Sequence, residues 1–213
     1  MELSTISLFV VASATLLIAP GPSVFYIMGR SIGQGTKAGF VSVLGVTLGG
    51  AVHVVFGAVG ISTILITSTI AFTFIKYLGV VYLIYLGCKT LFFASSYDNE
   101  SPKTNVKDKS LKQVFYESVL VELTNPKTAL FFLAFFPQFI SPSAGSVAVQ
   151  FLLLGAIFVV LALLNDSLYA LLATGIRKSL AVRKKNIKVM NQAVGICYIL
   201  LGLLSAFANP SKP

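Results

Sequence analysis

Residues 18–23 read Ile-Ala-Pro-Gly-Pro-Ser (IAPGPS), a double proline set inside an apolar run that begins near Ile6 and continues to Met28. Proline has no N–H and its ring clashes with the carbonyl four residues back. Pro20 and Pro22 therefore leave the carbonyls of Leu16 and Ile18 without helical donors. In hydrocarbon no water replaces a missing donor, so such a break is tolerated only where protein, water or a ligand satisfies the backbone. The stretch reads as the meeting of two half-helices, the second opening with Gly21 as N-cap and Pro22 at the first helical position.

The rest of the chain makes a membrane setting unavoidable. Of 213 residues, 56% are hydrophobic and 11% charged, and the mean hydropathy is +0.88. Six apolar runs can be drawn, at about 5–29, 39–66, 70–94, 111–138, 146–176 and 187–208, each near the length that crosses a bilayer. Only Thr67, Ser68 and Thr69 separate the second run from the third. The expected fold is an all-α integral membrane protein with six transmembrane helices. Glu2 rather than a basic cluster opens the chain, and the first run is too long for a signal-peptide core, so the first helix is expected to be retained. Cys88 and Cys197 lie in separate apolar runs with no metal-ligand spacing around them, and no cofactor motif is present.

The formal charge of +9 matters through its placement. Thirteen of the sixteen Lys and Arg residues follow the first, third and fifth runs or lie at their ends, including the stretch RKSLAVRKKNIK at 177–188. The positive-inside rule then puts those loops in the cytoplasm and both termini outside. The basic stretch is read as this topology signal in preference to a nucleic-acid or lipid-binding patch, and no nucleic-acid partner is expected. Residues 95–110, SSYDNESPKTNVKDKS, mix both signs with Pro, Ser and Asn and read as a linker.

That linker divides the chain into a first three-helix unit, 1–94, and a second, 111–213. GVVYLIYLG (79–87) in the third run is echoed by GICYILLG (195–202) in the sixth, and PGP (20–22) in the first by NPK (125–127) in the fourth. An odd number of spans per unit inverts the second copy, which is the inverted-repeat plan of secondary transporters. Asn125 is a good N-cap with Pro126 behind it, so spans 1 and 4 are both expected to be broken at proline. Gly21 lies about 14 Å along a helix from Arg30, and Asn125 about 20 Å from Lys112, which puts both breaks near mid-bilayer. Half-helix N-termini offer free donors and partial positive charge to a carboxylate. Structural kinks are the competing reading.

Charge surrounds the second break. Glu122 and Lys127 flank it, and Asp166 lies in the fifth run. Ionisable groups in lipid mark substrate sites, ion paths or internal pairs. Lys127, in the first turn of a half-helix, calls for an anionic partner: Glu122, Asp166 or a substrate carboxylate. A structural ion pair joining two spans is the alternative. Glu122 also suits a proton-coupled cycle, since desolvation makes a carboxyl group's protonation reversible near neutrality. Glu117 reads as a solvated residue near the cytoplasmic boundary. His53, the only histidine, reads as a hydrogen-bonded packing residue. Gly45 and Gly49 form a GxxxG pair that permits close helix approach, and the tyrosines of IKYLGVVYLIYLG (75–87) read as packing or interfacial groups.

APGPS at 19–23, GVTLGG in the second run, YLGVVYLIYLG in the third, NPKTALFFLAFFPQF from 125 and the closing GICYILLGL resemble, in order and spacing over nearly the whole chain, the lysine exporter (LysE/RhtB) family. The resemblance implies a six-span amino-acid exporter of the bacterial inner membrane, driven by the proton gradient and often oligomeric. It leaves open basic, small hydroxylated, sulfur-containing and branched neutral substrates. On this reading Gly21, Pro22 and Ser23 present donors to the substrate carboxylate, Asn125, Pro126 and Lys127 form the other half of the cradle, and Glu122 or Asp166 faces the ammonium group or the coupled proton. An ion or metal exporter and a membrane-embedded enzyme or accessory subunit are the alternatives. Neither the His, Cys and acidic clusters of a transition-metal site nor a nucleophile with a base partner is apparent.

Overall fold

The computed structural model describes residues 2–67 and 109–178, with isolated positions between 74 and 88 and between 196 and 203. Apart from those isolated positions, the third and sixth expected spans with the repeated GVVYLIYLG and GICYILLG stretches lie outside the described residues, as do Cys197 and nearly all of the 95–110 linker. So does the test of a two-unit division at that linker.

Among the described residues every regular element is helical. Helix α1 (Leu3–Ile18) ends where Pro20 forbids continuation, its last turn closed by Ala19 N donating to Leu16 O at 3.2 Å. Helix α2 (Pro22–Gln34) starts on Gly21 as N-cap with Pro22 in its first turn, as the sequence indicates. It stops at Gly35, whose φ of 89° lies in the left-handed region that glycine enters without a Cβ clash. Helix α3 spans Thr36–Thr67. Helix α4 (Leu111–Leu123) opens with a capping box: Gln113 N donates to Ser110 Oγ at 3.3 Å and Ser110 N donates to Gln113 Oε1 at 3.2 Å. Helix α5 (Pro126–Leu130) begins on Asn125, and a π turn at Phe131–Phe135 and a 3-10 turn at Phe136–Phe139 continue it. Helix α6 spans Val147–Lys178.

Among the described residues two segments, Thr36–Gly60 and Val147–Gly175, are long and apolar enough to cross a membrane, and up to four spans result if each bent pair counts as one. The α1–α2 pair bends by 53° and the pair made by α4 and the segment from Pro126 to Phe139 by 41°. Both proline motifs therefore sit at the bend of a helix pair.

Helix α3 packs against α4 on one side and α6 on the other, with α2 also against it. Glycines set the spacing. A Cβ at Gly45 would fall 2.1 Å from Ser118 Oγ and 2.5 Å from Phe115 O, and one at Gly49 would fall 2.7 Å from Glu122 Cβ. The GxxxG pair is thus the contact between α3 and α4. Gly155 of α6 does the same for Val54 of α3, where a Cβ would lie 2.3 Å from a Val54 methyl. An aromatic core closes one end: Phe9, Phe131, Phe132, Phe136, Phe151 and Phe158 are buried, with Phe136 and Phe151 stacked at 4.1 Å between centroids. Large apolar side chains such as Leu44, Leu48, Phe56, Leu153, Leu164 and Leu168 remain on the outside.

Candidate functional site

A broken helix must find partners for its last carbonyls, and here three side chains from distant parts of the chain supply them. Asn165 Nδ2 of α6 donates to Leu17 O at 3.1 Å, Tyr169 OH, one turn on, donates to Ile18 O at 2.6 Å, and Lys127 Nζ donates to Ala19 O at 2.5 Å. Each carbonyl left buried and unpaired would cost about 1–3 kcal/mol. Of the two carbonyls that the prolines orphan, Leu16 O is met within its own turn and Ile18 O by Tyr169. The second break follows the same rule. Pro126 deprives Glu122 O of its helical donor, and the carbonyl accepts instead from Asn125 N and from His53 Nε2 of α3, both at 3.0 Å. A carbonyl only accepts, so Nε2 carries the imidazole proton. His53 also stacks on Phe132, in keeping with a packing residue that is hydrogen-bonded.

The two breaks are tied to each other. Ser23 Oγ donates to Glu122 Oε2, and Asn125 Nδ2 donates at 3.0 Å to both Ser23 Oγ and Glu122 Oε2. Asn125 Oδ1 accepts from Lys127 N at 3.1 Å and so caps α5. Helix α2 has no such cap, because Gly21 has no side chain to offer. The two half-helix N-termini therefore differ: one is closed by its own asparagine, and the other keeps its first-turn amides free of a side-chain cap. Gly21 serves a second purpose as well, since a Cβ there would lie 3.0 Å from Lys127 Cδ.

Of the anionic partners expected for Lys127, neither carboxylate of the protein contacts it directly. Among the described residues no ion pair within 4.0 Å joins it to Glu122 or Asp166, and its ammonium caps Ala19 instead. A carbonyl at a helix end suits a cation, which explains how the lysine is held without a carboxylate. Among the described residues Asp166, 4% exposed, accepts only from its neighbour Asn165, at 3.3 Å.

Ser23, Glu122, Asn125, Lys127 and Asp166 line one cavity together with Gly21, Thr47 and Gly50. Leu16, Leu17, Val24, Val46, Phe158, Val159 and Ala162 form its apolar wall. Pro22 and Pro126 shape the breaks without lining the cavity. The cavity has room for about two ordered waters. No group of three or more His, Cys, Asp or Glu residues that could hold a metal ion occurs among the described residues.

Glu117 is not simply solvated. It pairs with Arg30 at 3.2 Å and Lys109 at 2.5 Å and accepts from Tyr26 OH at 3.0 Å. Arg30, 6% exposed, also donates to Gln34 Oε1 at 2.8 Å. This network joins α2 to α4 at the ends remote from the breaks. Sequence reasoning missed it, as it missed Thr47, Asn165 and Tyr169, because their spacing along the chain gives no sign of what they reach.

The family model described as LysE type translocator matches residues 14–208 of this chain. Leucine efflux proteins of Salmonella choleraesuis and Klebsiella pneumoniae are each 28% identical to it over 191 residues, covering 90% of this chain and 89% of theirs. The leucine efflux protein of an Enterobacter strain is also 28% identical over 191 residues. No solved structure matches the chain significantly.

Proposed function

We infer that this chain, which belongs to the LysE type translocator family, is a secondary carrier that exports an aliphatic neutral amino acid from the cytoplasm in exchange for protons. It is a multi-pass membrane protein, in our reading placed in the bacterial inner membrane with both termini outside and its cationic loops in the cytoplasm. The observation that carries the reading is the meeting of Ser23, Glu122, Asn125, Lys127 and Asp166 at one cavity between two helix breaks.

The chemistry of that cavity has two ends. The uncapped amides at the start of α2, at Ser23 and Val24, and the ammonium of Lys127 suit a substrate carboxylate. Buried carboxylates suit the substrate ammonium. The apolar wall suits an aliphatic side chain and offers nothing to a second charge, and the leucine efflux relatives point the same way. A proton and an ammonium group compete for the same carboxylate, so each is released when the other binds, which is the requirement of an antiporter.

The exchange of caps supports the inverted-repeat plan. Helix α6 caps the break between α1 and α2, through Asn165 and Tyr169, while α3 caps the break between α4 and α5, through His53. Helices α3 and α6 are the second spans of the two proposed units, each is 32 residues long, and the capping residues sit near the middle of each.

Purified protein in liposomes tests the function. An imposed pH gradient should drive leucine against its concentration gradient, arginine and glutamate should not be moved, and an uncoupler should abolish the effect. Failure to move any amino acid under any gradient would refute the carrier reading.

A further inference from the structure

Hydroxyls on the described helices commonly donate to the carbonyl one turn back. Ser31 bonds Ile27 O, Ser42 bonds Ala38 O, Ser118 bonds Val114 O and Thr174 bonds Ala170 O. Thr47 departs from this pattern. Its Oγ1 is buried with no hydrogen-bond partner, and the residue lines the cavity that Asp166 also lines. A buried hydroxyl with nothing to bond is costly, and its presence in a binding cavity calls for an explanation.

Asp166 has matching spare capacity. One of its oxygens accepts from Asn165 at 3.3 Å and the other takes no hydrogen bond among the described residues. The lysine of the cavity is engaged with Ala19 O. Glu122, the other carboxylate, already has one oxygen bonded by both Ser23 and Asn125, and it braces the two breaks. The second Glu122 oxygen also takes no hydrogen bond among the described residues, but Glu122 is committed to the brace, so a hydroxyl on α3 and the less engaged carboxylate, on α6, are among the polar groups of the cavity left short of partners.

We propose that Thr47 and Asp166 form the subsite that receives the ammonium group of the substrate, an assignment that rests on the amino-acid export reading. A primary ammonium carries three N–H donors and no acceptor. Thr47 Oγ1 accepts one of them, and Asp166 accepts another while supplying the opposite charge. Lys127 and the start of α2 repel an ammonium and attract a carboxylate, which fixes the orientation of the zwitterion. Thr47 is thus a specificity residue: its hydroxyl favours an amine over a substrate of the same skeleton that carries a hydroxyl in the amine's place.

The test is counterflow of labelled leucine by the full-length protein in liposomes, competed by unlabelled leucine or by 2-hydroxy-4-methylpentanoate. The parent should prefer leucine by about tenfold or more, the value of a hydrogen bond to a charged group. Thr47→Val should lose most of that preference through weaker leucine binding, Thr47→Ser should keep it, and the melting temperature of Thr47→Val should be unchanged or raised, because an unmet hydroxyl has been removed. Retention of the parent preference by Thr47→Val overturns the assignment. So does a requirement of the parent for sodium that Thr47→Val abolishes, which would make the pair a metal-cation site. A parent that exchanges no amino acid refutes the export reading itself, and the subsite with it.

Discussion

Lys127 donates its ammonium to the carbonyl of Ala19 at 2.5 Å, so a residue of the second break closes the end of the helix that forms the first. Lys127→Met should remove both this cap and the cation of the cavity. We expect leucine transport to fall by more than about tenfold and stability to drop by about 1–3 kcal/mol, the cost of one unpaired buried carbonyl. Transport in liposomes and thermal unfolding in detergent measure the two effects. Gly21→Ala should fold, since the stem of Lys127 can give way, but transport less well because the ammonium is displaced.

The prolines set the breaks and do not line the cavity, so their removal separates shape from contact. Pro22→Ala and Pro126→Ala restore backbone donors to Ile18 O and Glu122 O. Both variants should reach the membrane at normal abundance and lose most transport. Parent-like transport by both would show that the breaks are kinks and nothing more.

Tyr169→Phe removes one hydrogen atom's worth of bonding from Ile18 O and leaves the ring in place. The expected loss is about 1–3 kcal/mol in unfolding free energy. Adding Pro22→Ala to Tyr169→Phe should recover part of it, because the restored amide of residue 22 takes over the same carbonyl. A double variant no more stable than Tyr169→Phe alone would contradict the capping role.

Much of this arrangement is legible along the chain, and the reason is local. Whether Gly21 and Asn125 serve as N-caps is decided by the residue itself and the proline that follows it, and the observed starts of α2 and α5 agree. The breaks themselves, the helix pairs and the grouping of Ser23, Glu122, Asn125, Lys127 and Asp166 at one cavity follow from the same local signals with a count of residues. Who satisfies the broken ends is another matter. Asn165, Tyr169 and His53 are reached by helix packing, and no spacing rule links them to residues 17, 18 and 122. Lys127 shows what charge alone leaves out: of the partners the sequence offers, neither Glu122 nor Asp166 contacts the ammonium, and the end of α1 receives it. Glu117 similarly needed the position of Arg30, 87 residues away, before its pairing could be seen.

Orientation has a direct test. Ser110 and Ser143 are exposed and lie at the start of α4 and in the connection before α6. In a background with Cys88 and Cys197 replaced by serine, Ser110→Cys should be shielded from impermeant thiol reagents in intact spheroplasts and Ser143→Cys should label. The opposite pattern would overturn the assignment of the cationic loops to the cytoplasm.

The glycine contacts divide the molecule into a frame and a moving piece. Where Gly45 and Gly49 seat Ser118 and Glu122, and where Gly155 seats Val54, one helix can slide along the next only after the two have first separated. Helices α3, α4 and α6 are therefore geared together. Helix α2 is seated on α3 in the same way, since a Cβ at Gly39 would fall 2.2 Å from Ser31 Oγ, whereas the end of α1 is held to that frame by Asn165, Tyr169 and Lys127 through hydrogen bonds that can exchange partners with water or substrate without any helix being lifted. The end of α1 is therefore the part that can shift while every glycine seat stays in contact.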